Sequence, residues 1–221
     1  MKTLLTQKDY WNKVAEEKEL TTPLQIEVFK KHVPVKARIL DVGCGYGRTL
    51  HELSSAGYTA LTGVDISEKM IARGCRQYPD LNLKNYEGPR LPFADNSFDA
   101  VLLLAVLTCI IEDAGQERLL AEVCRVLKAG GVVYINDFLR NSDQRNIERY
   151  RRYEKKYRNY GTFELREGVA FRHHSRERIA ELTSSFAPIT VESVVYTTMN
   201  GNRSKGLYYL GRYGANTGAS R

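Results

Sequence analysis

The sequence predicts one doubly wound α/β domain built on a mostly parallel sheet of seven strands. Three observations carry that prediction. Apolar runs bounded by turn residues alternate with stretches of helical period, as βα units around a parallel sheet require. The first of these runs, Ile39 to Val42, leads straight into a glycine cluster that ends within one turn of a helical pattern. The last two runs, Ile189 to Val195 and Leu207 to Leu210, are joined only by the turn-rich stretch Asn200 to Lys205. So short a connection makes them antiparallel neighbours, because a parallel pair needs a crossover of about a dozen residues or more.

The elements follow in order. Residues 1–35 read as a helical segment ahead of the sheet, and residues 36–137 as the ligand-binding core. After the first strand, Thr49 to Ala56 continues as a short helix, and Ala60 to Val64 forms a second strand ending on Asp65. Ser67 is placed to cap the next helix, through Ile71 and Cys75, by accepting from an otherwise unpaired backbone N–H. Leu83 to Tyr86 is a third strand diluted by Lys84 and Asn85, and Ala100 to Leu104 a fourth, apolar throughout as a doubly covered strand is. Leu119, Leu120, Val123, Val126 and Leu127 recur at helical spacing, and Ala129-Gly130-Gly131 supplies a glycine C-cap before the strand Val132 to Ile135. Residues 138–186 form an insertion, residues 187–212 the closing strand pair, and Tyr213 to Arg221 a Gly/Ser/Asn-rich frayed end.

Composition narrows the function. At 221 residues and 43% hydrophobic content the chain can bury a full core, and no apolar run approaches the length of a membrane span. The first ten residues lack the apolar core of a secretory signal, so a cytoplasmic location is expected. Cys44, Cys75, Cys109 and Cys124 stand singly, without C-x-x-C spacing, which argues against a metal site or a disulfide framework and for reduced, buried thiols. The net charge of +7 fits nucleic acid, an anionic small molecule, or solubility alone.

The informative loop is Asp41-Val-Gly43-Cys44-Gly45-Tyr-Gly47-Arg48. It would sit at the carboxyl end of its strand, where open α/β sheets bind ligands. Asp65, at the end of the next strand, can accept both hydroxyls of a ribose lying across the loop. Dinucleotide sites use G-x-G-x-x-G, whose last glycine sits where this chain has Arg48. S-adenosylmethionine (SAM) has no pyrophosphate to cradle, and Asp41 is an acid suited to its ammonium group. The spacing therefore favours SAM.

Four blocks in the right order extend this reading. Leu40 to Gly47, Gly63-Val-Asp-Ile-Ser67, Glu87 to Asp99 (with Leu91-Pro-Phe93 and Ser97-Phe-Asp99) and Arg125 to Gly131 resemble the class I, Rossmann-like, seven-stranded SAM-dependent methyltransferases of the small-molecule "LDVGCGxG" type. The resemblance covers about residues 36 to 137. It implies that Gly43, Cys44 and Gly45 line the methionine portion and Asp65 binds the ribose. Ile66 would pack on adenine, Glu87 and Gly88 would border the base, and Ala105 would lie close to the sulfonium. Many relatives carry His-His shortly after the fourth strand, where this chain has Thr108-Cys109, so the acceptor site is left unassigned.

Three segments are candidates for that acceptor site. Tyr10 and Trp11 read either as a lid over the cofactor or as packing for the first helix. Tyr150, Tyr153, Tyr157 and Tyr160 share a helical face, with Arg149, Arg151, Arg152, Lys155, Lys156 and Arg158 on the remaining surface. That pattern fits a packing stripe under a solvated cationic face, a lid whose tyrosines roof the pocket, or an RNA-binding patch. His173 and His174 precede a helix capped by Ser175; either is read singly as an ordinary surface histidine. His173 and Asp137, the latter at the end of the fifth strand and pointing toward the pocket mouth, are nonetheless the catalytic candidates. The reading that results is a SAM-dependent methyltransferase acting on a small-molecule acceptor. Its alternatives are RNA or protein acceptors and a SAM-binding module without catalysis, with an NAD-linked dehydrogenase last. Against RNA, no nucleic-acid-binding domain is appended, and Leu103-Leu-Ala-Val106 replaces the tetrapeptide of amino-methylating enzymes.

Overall fold

The two runs read as doubly covered strands, β1 (Ile39–Val42) and β4 (Phe98–Leu104), lie side by side at the centre of the sheet. Alternation along them divides the core in two. Leu40, Val42, Val101 and Leu103 enter one apolar cluster, while Ile39, Ala100 and Leu102 enter the other, on the opposite face. The computed structural model describes residues 4–214, so most of the frayed end expected at Tyr213 to Arg221 lies outside the described residues.

The chain begins with helices α1 (Gln7–Val14) and α2 (Ile26–Phe29). β1 is followed by α3 (Arg48–Ser55), β2 (Leu61–Asp65), α4 (Glu68–Gln77), β3 (Asn82–Asn85) and β4. A 3-10 turn at Leu107–Cys109 leads to α5 (Asp113–Val126) and β5 (Leu127–Phe138). Between β5 and the closing strands stand α6 (Gln144–Tyr157), the hairpin β6 (Thr162–Glu164) and β7 (Ala170–Arg172), and α7 (Arg176–Leu182). The last strands are β8 (Phe186–Thr197) and β9 (Arg203–Tyr213). The sheet order is β3-β2-β1-β4-β5-β9-β8. β1 to β5 are parallel, and β9 runs antiparallel between β5 and β8. This is the mostly parallel seven-stranded sheet with an antiparallel closing strand that the sequence predicts.

Local chemistry explains the boundaries. Ser67 caps α4 by accepting from the N–H of Met70, and Ser175 caps α7 by accepting from that of Arg178. The end of α5 differs from the glycine cap expected at Ala129-Gly130-Gly131. The helix stops at Val126, and Leu127 is already extended and paired with Phe98. Pairing then jumps from Phe98–Leu127 to Ala100–Val132, and Gly130, at φ +78°, turns the intervening bulge. Leu127 is wholly buried, and keeping it there as the first residue of β5 ends the helix before the glycines.

Part of the 138–186 region packs on α1, while Leu139, Ile179, Leu182 and Phe186 join the main core. Tyr150, Phe163, Val169 and Phe171 form a small apolar cluster with Tyr10 and Val14 of α1, and Tyr153 and Tyr160 pack on it. The tyrosine stripe is therefore a packing stripe; α6 ends at Tyr157, and Arg158 leaves in the left-handed conformation. No helix among the described residues is long and apolar enough to cross a membrane.

Candidate active site

The carboxyl ends of β1, β2 and β4 open into one cavity of about 590 Å³, walled on its far side by α1, the 138–186 region and the turn between β8 and β9. Its size is that of a small-ligand site. At one end lies the glycine loop. Gly43, Gly45 and Gly47 take φ of +75°, +56° and +86°, which side-chain-bearing residues rarely adopt. A Cβ on Gly43 would also strike a methyl of Val106 at 2.7 Å.

Two carboxylates govern this end. Asp65 accepts from the N–H of Gly45 at 2.8 Å with one oxygen and from that of Ser67 at 2.7 Å with the other. It thereby holds the loop in shape, and each oxygen keeps a further acceptor site toward the cleft. Burial raises its pKa, and the two backbone bonds oppose the rise. Asp41 is buried, with Oδ1 lacking any hydrogen-bond partner. Burial pushes its pKa up to about 7, against the pull of Arg48. An unpartnered buried carboxylate oxygen on a ligand cavity is a built receptor for a cationic donor.

Of the residues expected here, Gly43, Cys44, Gly45, Asp41, Asp65, Ile66, Gly88, Ala105, Tyr10 and Trp11 all line the cavity. Ala105 does so at φ +56°, a strained conformation for alanine, held by its N–H bond to the carbonyl of Asn136 at 2.8 Å. Glu87 is different. Its side chain is 56% exposed and ion-paired with Lys8 of α1, while its neighbours Tyr86 and Gly88 face the cavity. The pair ties α1 to the rim. Asn12 ties it further, accepting from the Ser67 hydroxyl at 2.7 Å.

The other end is lined by Cys109, Phe138, Phe163, Phe171, His173 and two arginines of α6, Arg145 and Arg149. His173 is buried, not a surface histidine, and is stacked on Phe138 with ring centroids 5.3 Å apart. Its Nδ1 lies 2.6 Å from the Tyr150 hydroxyl. Burial, with help from the nearby Arg149 charge, holds its pKa well below the usual range, so the imidazole is neutral near pH 7. His174 is also buried, with Nε2 2.8 Å from the Gln116 amide nitrogen, and burial lowers its pKa to about 3.

Asp137 does not point toward the pocket mouth, as its strand-end position led us to expect. It is fully buried and absent from the cavity wall, accepting from the N–H groups of Thr108 at 3.2 Å and Phe138 at 2.7 Å. The unpaired N–H of the 3-10 turn draws it inward. The thiols also split: Cys44 is buried, Cys109 and Cys124 are half-buried, and Cys75 is exposed.

Sequence reasoning missed two contributors. The β8–β9 turn brings Thr198, Met199, Asn200 and Asn202 to the cavity, and the Lys18 ammonium donates to Asn200 across the roof at 2.6 Å. A turn-rich connection carries no sign of that reach. Arg145 and Arg149 were findable, because their i,i+4 spacing sets them on one face of α6, opposite in role to the tyrosines.

Residues 39–131 match the family described as "Methyltransferase domain". The chain is 31% identical over 140 residues to the eEF1A lysine and N-terminal methyltransferase of Mus musculus, covering 56% of this chain and 20% of that protein. It is 37% identical over 101 residues to the demethylmenaquinone methyltransferase of Renibacterium salmoninarum, covering 46% of this chain and 41% of that protein. The chain thus spans about a fifth and about two-fifths of these relatives' lengths. A solved SAM-dependent methyltransferase from Methanosarcina mazei superposes with a TM-score of 0.80 at 25% identity, covering 84% of this chain and 96% of the other.

Proposed function

We propose, from the premise that residues 39–131 form a methyltransferase domain of the class I, Rossmann-like, SAM-dependent family, that this protein transfers a methyl group from SAM to a small-molecule acceptor. One observation carries the reading. The glycine-loop end and the 138–186 end are parts of a single cavity, so donor and acceptor would meet inside it.

The donor end fits SAM. The unpartnered Oδ1 of Asp41 would receive the ammonium, and Asp65 the ribose hydroxyls. Ile66 and Tyr86 would flank the adenine, with Gly88 close to its edge. Bound there, SAM supplies a methyl group activated by its sulfonium for in-line displacement. The protein's share is then mostly positioning, which can supply a large part of the rate by holding reacting atoms in near-attack geometry. Ala105 would border the sulfonium, and Tyr10 and Trp11 would close over it from α1. For an acceptor that must lose a proton, His173 is our candidate base. It is neutral, it faces the cavity, and with Nδ1 held by Tyr150 its Nε2 is the nitrogen left for a ligand.

A protein acceptor is the second reading, favoured by the similarity to an eEF1A lysine and N-terminal methyltransferase. Arg145 and Arg149 on the acceptor wall weigh against it, since a lysine ammonium would meet two like charges. Methyl-labelled SAM incubated with pooled metabolites, protein and RNA separates the two. Label in a small molecule is the expected result. Label confined to protein or RNA overturns the small-molecule reading, and binding of NAD in preference to SAM by calorimetry overturns the donor assignment.

A further inference from the structure

The acceptor end contains a cation that lacks a close carboxylate partner among the described residues. Arg149 is half-buried against aromatic rings, its guanidinium carbon 3.4 Å from the Phe163 ring centroid and 5.7 Å from that of Tyr150. Its Nε is buried without a hydrogen-bond partner. No carboxylate lies within ion-pair distance of it among the described residues, and burial depresses its pKa to about 10.

Other arginines withdrawn from solvent hold carboxylate partners. Arg73 pairs with Glu19, Arg125 with Glu122 and Asp95, Arg172 with Asp113, and Arg178 with Asp113, Glu117 and Glu181. Withdrawing a cation from water without a counter-charge is costly, and a protein keeps such an arrangement where a ligand brings the counter-charge. Arg145, one turn earlier on α6, adds a second guanidinium to the same wall and reaches Asp143 only loosely, at 3.9 Å. Opposing charge here comes from exposed groups, Glu112 on the cavity wall and Asp143, which acts on Arg149 from beyond ion-pair distance. Asp41 and Asp65 stand at the donor end, and His173 is neutral.

We infer that the methyl acceptor is an anion with an aromatic or apolar body, its carboxylate or phosphate seated on Arg149 and Arg145 and its body against Phe138, Phe163 and Phe171. This rests on the small-molecule reading above and names its substrate class. The same two cations disfavour a lysine side chain as acceptor, since its ammonium would approach two like charges.

The test uses ligand binding to the full chain saturated with S-adenosylhomocysteine. Four probes are titrated by calorimetry: 4-hydroxybenzoate, phenyl phosphate, neutral benzyl alcohol and cationic benzylamine. At least one anion should bind roughly tenfold or more tightly than the neutral and cationic probes, as expected of a charge-assisted guanidinium pair. The stronger of the two anions tells carboxylate from phosphate. Arg149→Gln should remove most of that preference and Arg145→Gln part of it, with affinity for S-adenosylhomocysteine changed less than about twofold. Retained S-adenosylhomocysteine binding also reports that each variant is folded, and if Arg149→Gln fails to fold, Arg145→Gln and Arg149→Lys carry the comparison. Equal binding of all four probes, or no binding of either anion, overturns the inference while leaving SAM binding intact. Loss of S-adenosylhomocysteine affinity in Arg149→Gln with probe preference retained would reassign the arginine to the donor and overturn it too.

Discussion

The two ends of the cavity are built on opposite plans. The donor end is made of backbone and short side chains from consecutive positions, Asp41 to Gly45, plus the residues that close the next strand. The acceptor end is assembled from side chains of α1, the 107–109 turn, α6, the β6–β7 hairpin and the β8–β9 turn. The first plan fixes one ligand shape by the geometry of adjacent strand ends. The second draws on many separate elements, so its lining can differ while the strand ends stay as they are. A fold that keeps its donor and changes its acceptor needs this division.

Three substitutions test this difference, taken in falling order of expected effect. Asp65→Ala has the largest expected effect. It removes the acceptor of the Gly45 and Ser67 backbone N–H groups as well as the proposed ribose contact, and should weaken SAM binding on the order of a hundredfold by calorimetry. An affinity within threefold of the parent would mean that the donor end does not depend on its consecutive motif. Asp41 comes next, through pH. Its folded pKa of about 7 lies above the ordinary carboxylate value, so its ionised form, the one that attracts an ammonium, is depleted as pH falls below about 7. SAM affinity should accordingly fall by up to about tenfold per pH unit from pH 7 to pH 5.5. Asp41→Asn should flatten this dependence and lower affinity roughly tenfold at pH 7.5; a slope that survives the substitution assigns the titration elsewhere. Glu87→Ala is the smallest. With Glu87 exposed and paired to Lys8, the loss should stay within about threefold, as exposed ion pairs contribute little. A tenfold loss would return Glu87 to the edge of the base.

The same contrast explains what could be read without coordinates. The strand ends and their glycines were legible because hydrophobic runs, turn residues and Asp65 lie close together in sequence and each restricts the others. The acceptor end was legible only in pieces. Burial of His173 depends on Phe138, Tyr150 and Phe163, which come from three elements. Asp137 occupies a strand end that ordinarily faces ligand, yet the N–H groups of Thr108 and Phe138 turn it inward. Its partner across the 3-10 turn is 29 positions away, beyond the reach of any local pattern. On α6 the tyrosines drew attention by their number, whereas Arg145 and Arg149, which precede them, line the cavity.

The Lys18–Asn200 bridge has a consequence for how the cavity is closed. Its two residues are 182 positions apart, and the turn it fastens joins β8 to β9. β9 in turn lies between β5 and β8, so this wall is held by pairings between segments distant in sequence. Contacts of that kind cost the most loop entropy to close. Enclosure of two reactants therefore rests on non-local pairing, whereas the shape of the glycine loop rests on neighbouring strand ends.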